Sequence, residues 1–142
     1  MTAPLLIYLL TYISFKEYEQ EVMFNTGKDH RMVFGSRKTA HREIDPQELD
    51  AMLRAGKALV VDVRESNEFA EGHIPGAVNL PLSRFSPDQL PEHPGRKLVL
   101  NCLGGKRSGQ ALELCGLAQS AVDTHLAGGF NAWAAARLPV ER

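Results

Sequence analysis

The stretch that most constrains the fold is Leu98-Val99-Leu100-Asn101-Cys102-Leu103-Gly104-Gly105-Lys106-Arg107-Ser108-Gly109. Leu98 to Leu100 is a short apolar run of the kind found in a strand covered on both faces. Gly104 and Gly105 let the chain turn back sharply. From Ser108 the period changes, and Ala111, Leu114, Cys115 and Ala118 stand at i, i+3, i+4 and i+7, one face of a helix. A strand, a tight loop and a helix in this order predict one unit of an α/β domain. The cysteine lies where the strand hands over to the loop.

A loop that curls into a helix N-terminus turns backbone N–H groups inward, and these favour an anion. With a cysteine in place, that anion can be its own thiolate. Lys106 and Arg107 add positive charge nearby. Both effects lower a thiol's pKa, and the thiolate is the nucleophile. The same residue type also serves as a small buried hydrophobe at a strand end. Local spacing does not choose between these two roles for Cys102.

Other strands and helices alternate along the chain. Glu43-Ile44 is a short candidate strand. Asp45 can cap a helix that has Pro46 in its first turn and Glu48 three residues on, with Leu49, Met52 and Leu53 as its apolar face and Gly56 at its end. Ala58 to Val63 is apolar and β-branched, the plainest strand in the chain. A short helix over Glu65 to Glu71 with Phe69 buried, a strand over Ala77 to Leu80, and one or two helical turns within Ser83 to Leu90 come next. Lys97 to Asn101 leads into the cysteine loop. A helix over Ser108 to Gln119, a strand over Val122 to Leu126 and a helix over Phe130 to Ala136 complete the series. Alternation with short connections predicts an α/β fold, a parallel β-sheet with helices on both faces. Ligands of such sheets sit beyond the carboxyl ends of the strands, where Cys102 falls.

Four blocks carry a resemblance. Val61-Asp62-Val63-Arg64 with Glu68-Phe69, Gly72-His73-Ile74-Pro75-Gly76-Ala77, the pattern C-x-x-G-x-R-S over Cys102 to Ser108, and Leu126-Ala127-Gly128-Gly129-Phe130-Asn131-Ala132-Trp133 stand in order between residues 42 and 140. Together they resemble the single-domain rhodanese (thiosulfate sulfurtransferase-like) family. The resemblance implies a rhodanese-like domain over 39–142. It also implies transfer of a sulfane sulfur from a small anionic donor, thiosulfate or a persulfide, through a Cys102 persulfide. The acceptor would be cyanide in vitro and a thiol, on a small molecule or an acceptor protein, in the cell. Leu103, Gly104, Gly105, Lys106, Arg107 and Ser108 would cradle the outer sulfur and the donor.

Each remaining site residue has two readings. Arg107 either meets the donor or ties the loop to a carboxylate. Ser108 is expected to cap the helix rather than act as an acid. Arg64 could bind the donor, but a structural pair is favoured, for example with Glu68, four residues on. Asp62 is expected to accept hydrogen bonds from a neighbouring loop, and His73 to satisfy backbone groups in a turn. Phe130 and Trp133 read as core. Cys115 also reads as core, about 12 Å along the helix from Arg107 at ~1.5 Å per residue.

Two alternatives use the same fold. One is a non-catalytic binding module of the same family, though such domains usually lack the cysteine. The other is a phosphatase or arsenate reductase, whose pattern places the arginine six residues after the cysteine; here Arg107 is five after it. A mercaptopyruvate sulfurtransferase loop resembles C-G-x-G-V-T, unlike Lys106-Arg107-Ser108.

Composition excludes several classes. The formal net charge of -1 gives no field for nucleic acid. Two cysteines without C-x-x-C spacing suit a reducing, cytoplasmic setting and not a disulfide scaffold. His30, His41, His73, His93 and His125 lie too far apart for a zinc motif, so neither metal nor cofactor is expected. Residues 1–38 stand apart. Ala3 to Phe15 is apolar but shorter than the ~20 residues of a spanning helix. It lacks a basic start, and Glu17, Glu19 and Glu21 follow it, so packing on protein is favoured over membrane contact through 3–15. Asn25 to Arg42 is a basic stretch without a clean period and reads as linker.

Overall fold

The computed structural model describes residues 41–142. The expectations for the apolar segment, its packing or membrane contact, and nearly all of the basic stretch therefore lie outside the described residues.

The elements are β1 (Arg42–Ile44), α1 (Pro46–Arg54), β2 (Ala58–Asp62), α2 (Ser66–Glu71), β3 (Val78–Asn79), two single 3-10 turns (Leu82–Arg84 and Pro87–Gln89), β4 (Lys97–Asn101), α3 (Lys106–Leu117), β5 (Thr124–Leu126) and α4 (Gly129–Ala135). They form a five-stranded sheet in the order β1-β5-β4-β2-β3. Every pairing is parallel. The α/β class and the alternation are as the periodicity indicates.

Period-two geometry sorts the central strands between two cores. Val61, Leu98 and Leu100 face α3, where they meet Ala111, Leu112 and Cys115. Val60 and Val99 point the other way, with Leu49 of α1 and Trp133 of α4. All five residues of β2 are buried, in keeping with the apolar run from Ala58 to Val61 that precedes Asp62. Leu49 is fully buried, and a leucine so placed contributes about 1.5–3 kcal/mol.

α1 starts as its residues require: Asp45 accepts from the Glu48 N–H at 2.7 Å, and Pro46 occupies the first turn. Two details differ from expectation. α3 begins at Lys106, with Gly105 as its cap at φ +107, so Ser108 lies within its first turn instead of capping it. Phe69 is only half-buried, because α2 is short and stacks that ring on His73, with centroids 3.8 Å apart. Among the described residues no helix is long and apolar enough to cross a membrane.

Candidate active site

β2 and β4 are neighbours in register, with Asp62 opposite Asn101. Both chains therefore leave the sheet at the same edge, and the residues just beyond them meet.

Cys102 follows β4 directly. Its thiol lies beneath the loop, with the residue 1% exposed. The rim above it is Leu103 and Gly104, both exposed. The Gly105 N–H donates to Sγ at 3.0 Å, and the Ser108 hydroxyl lies 3.5 Å from it. Burial pushes the thiol's pKa up. The Ser108 hydroxyl and the N–H groups of Ser108, Gly105 and Gly104 outweigh it, and the net shift is downward. The thiolate is thus favoured by fixed dipoles. Cys115 makes the contrast: it is equally buried on α3, and there burial pushes the thiol up against a weaker opposing bond from Ser120.

The glycine pair before α4 holds the other side of the loop. The Phe130 N–H donates to the Cys102 carbonyl at 2.8 Å, and the Asn131 N–H to the Leu103 carbonyl at 3.0 Å. This approach requires glycine at 129. Its φ is +59, and a Cβ there would lie 2.5 Å from the Cys102 carbonyl oxygen. Trp133 anchors the same helix, fully buried, with its indole N–H donating to Pro139 O at 2.8 Å.

Arg107 forms a fork-to-fork pair with Glu68 of α2, at 2.6 and 2.9 Å. The arginine therefore ties the cysteine loop to the loop-and-helix that follows β2. The Arg107 hydrogen bonds hold the Glu68 carboxyl down at about 2, against burial, helped by the Glu65 N–H and by the charges of Arg107 and Arg64. Because the folded value lies below the ordinary 4.5, this contribution is complete above pH 4.5 and is lost as pH falls towards 2. In acid unfolding monitored by circular dichroism, Glu68→Gln is expected to remove that part of the pH dependence. Identical slopes for the two proteins between pH 4.5 and 2 would contradict it.

Arg64 is in a structural pair, as favoured, but its partner is Asp62 and not Glu68, and its buried guanidinium is not presented to a donor. It is 3% exposed, and its guanidinium is held by both oxygens of Asp62 at 2.8–3.1 Å and by the Gly72 carbonyl at 2.8 Å. It also lies 4.4 Å over the ring of Phe130. The Asp62 carboxylate accepts, in addition, from the Arg64 N–H and the Asn101 amide, and its backbone carbonyl accepts from the neighbouring segment, from the Leu80 N–H at 2.9 Å and the Asn79 amide at 3.0 Å. The pair is a brace under the site. His73 is a turn residue: its Nδ1 meets Phe69 O at 2.9 Å, and its backbone bridges to Glu141. Lys106 is exposed at the start of α3.

Two residues have roles in the site that the sequence did not assign to them. Glu68, read there beside Arg64, is the partner of Arg107. His125, on β5, is buried with Nδ1 2.8 Å from the Ser108 hydroxyl. Among the described residues no group of three or more His, Cys, Asp or Glu side chains could hold a metal ion.

Comparison with known proteins accords with this geometry. Residues 45–136 match the family described as Rhodanese-like domain. An uncharacterised protein of Synechocystis is 43% identical over 96 residues, 68% of this chain and 54% of that protein. The chain thus spans about half the length of that relative. A sulfurtransferase of Allochromatium vinosum is 36% identical over 100 residues, 69% of this chain and 92% of that one. The crystal structure of a rhodanese-related protein from Thermoplasma volcanium superposes with a TM-score of 0.60 at 30% identity, covering 71% of this chain and 98% of the other. With the cysteine loop, its glycine-gated neighbour and the parallel sheet all in place, the chain belongs to the rhodanese-like domain family.

Proposed function

We propose that the protein is a sulfurtransferase that carries a sulfane sulfur on Cys102, taking it from thiosulfate or a persulfide and giving it to a thiophilic acceptor. The observation that carries this reading is the convergence on Sγ of the Gly104, Gly105 and Ser108 N–H groups and the Ser108 hydroxyl. In the first step the thiolate attacks the outer sulfur of thiosulfate. A bond forms between Sγ and that sulfur, the bond to the sulfonate sulfur breaks, and sulfite leaves with the electron pair. The persulfide's outer sulfur bears negative charge and takes the dipoles that held the thiolate, the logic of an oxyanion hole. In the second step cyanide or a thiolate attacks the outer sulfur, and Sγ leaves again as thiolate. Lys106, exposed beside the loop, steers the anionic donor. Arg107 acts mainly through the loop, since its fork is occupied by Glu68.

A five-residue step from Cys102 to Arg107 supports sulfur over phosphate, because a short loop encloses one atom more closely than a tetrahedral group. Two free thiols suit a reducing, cytoplasmic setting. The test is the intact mass of the protein after thiosulfate, then after cyanide, with peptide mapping. A gain of one sulfur atom on Cys102, lost with release of thiocyanate, is expected. No adduct from thiosulfate or from a panel of persulfides would overturn the reading in favour of a binding module.

A further inference from the structure

His125 has no part in the chemistry above, yet it is a polar ring buried in a parallel sheet, 6% exposed. It stands in a chain of contacts that begins at the nucleophile. Cys102 Sγ is 3.5 Å from Ser108 Oγ, Ser108 Oγ is 2.8 Å from His125 Nδ1, and His125 Nε2 is 3.4 Å from a carboxylate oxygen of Glu43. The first three residues are buried, and Glu43 opens to solvent, its side chain 63% exposed. Strand register builds the line: Glu43 of β1 is the Cα partner of His125, which is in turn the partner of Leu100, two residues before Cys102.

The tautomer follows from the partners. A carboxylate only accepts, so the imidazole proton belongs on Nε2, facing Glu43. Nδ1 is then a lone pair facing the Ser108 hydroxyl, whose one proton has two acceptors, Nδ1 at 2.8 Å and the Gly105 carbonyl at 3.1 Å, and goes to Nδ1, the nearer. Ser108 Oγ, its proton turned towards His125, can accept the proton of the Cys102 thiol.

We propose that His125 is a positioning residue that holds the Cys102 proton through Ser108. The Cys102 S–H bond breaks as an O–H bond forms on Ser108, while the original Ser108 O–H bond breaks and an N–H bond forms at His125 Nδ1. Two protons each move one place, and no co-reactant is needed. The products are a Cys102 thiolate and a His125 imidazolium. Afterwards Nδ1–H donates to Ser108, the Ser108 hydroxyl donates to the thiolate, and Nε2–H still faces Glu43.

The groups around His125 fit this role. From β1 and the residue before it come the Glu43 carboxylate and the His41 ring, whose centroid lies edge-on at 6.2 Å. From α3 comes Ser108, and the adjoining residue on β4 is the apolar Leu100. Burial lowers the imidazole's pKa, and the Glu43 carboxylate partly opposes this while His41 adds to it. Burial thus works against the imidazolium, and the Glu43 carboxylate facing Nε2 is the group that stabilises the ring once it takes a proton.

The inference rests on Cys102 as the nucleophile. Its test uses alkylation of Cys102 by iodoacetamide, which needs no sulfur donor, so its failure and that of the sulfurtransferase reading are distinguishable. Rates at Cys102 are followed by peptide mass against pH in the full chain. His125→Asn keeps a hydrogen-bonding group towards Ser108 but cannot take a proton. It is expected to raise the midpoint by about one unit or more. In a Ser108→Ala background the same change is expected to add nothing, because the coupling passes through that hydroxyl. Should His125→Asn fail to fold, Glu43→Gln, at the exposed end, decides: an upward shift is expected. A wild-type midpoint in the folded histidine variant, or in Glu43→Gln where that variant decides, overturns the proposal, as does an undiminished shift without Ser108.

Discussion

Cys102→Ser is expected to reduce sulfur transfer from thiosulfate to cyanide by at least about 10³-fold, to the level of the uncatalysed exchange. The loop would remain, since serine fits the space of cysteine and can accept from the Gly105 N–H that now bonds Sγ at 3.0 Å. What disappears is the nucleophile. Four hydrogen-bond contributions bring the Cys102 thiol below its ordinary value, but a hydroxyl starts far too high for the same dipoles to ionise it. An oxygen also forms no persulfide that an acceptor could cleave to return the starting state. Cys115→Ala is the matched control. Its thiol is buried on α3, with a raised pKa. The change is expected to lower stability modestly while leaving turnover within about twofold. Steady-state thiocyanate formation with both variants checks the pair. Substantial activity in Cys102→Ser, or its loss in folded Cys115→Ala, would move the sulfur carrier away from Cys102.

The fold was legible wherever a segment's own pattern decided it. Ala58 to Asp62 is buried on both faces and reads as a strand without help from the rest of the chain. The cysteine loop was legible because its glycines and its change of period are local. Pairings across the fold were not. Helical spacing matches Arg64 with Glu68, but Arg64 precedes α2 and stands at a bend just past β2. The turn brings the guanidinium back on the residue two before it, and the Asp62 carboxylate accepts from both the Arg64 N–H and Nε. Glu68 and Arg107 are brought together only because β2 and β4 are adjacent and end level. His125 was hidden differently. It sits between Thr124 and Leu126 in a strand of three buried residues, and its neighbours Ser108 and Glu43 come from distant elements. A histidine inside so short a covered strand was the signal available, since burying the ring requires partners for both nitrogens.

Asp62→Ala is expected to cost about 3–5 kcal/mol, much of the 5–15 kcal/mol that typically holds a domain folded. Asp62 is fully buried and accepts from Arg64 at its backbone N–H, Nε and Nη2, and from the Asn101 amide. Truncation leaves the guanidinium buried, bonded to the Gly72 carbonyl and lying over the Phe130 face, with the Glu68 charge acting on it only through space. Asn101 suffers too: its Oδ1 already has no hydrogen-bond partner, and its Nδ2 would lose the one it has. The penalty is that of an uncompensated buried charge, larger than the net worth of the pair itself. Asp62→Ala combined with Arg64→Met should therefore be more stable than Asp62→Ala alone, the reverse of additivity. Urea unfolding of the single and double variants measures both effects; a single-variant loss under about 1 kcal/mol would mean that water reaches the guanidinium. Catalysis is expected to weaken alongside stability, because the brace lies directly under the loop. Arg64 covers the ring of Phe130, and the Phe130 N–H holds the Cys102 carbonyl. Loosening that ring frees the backbone from which the nucleophile projects, so the double variant, although refolded, should still transfer sulfur more slowly than the wild type.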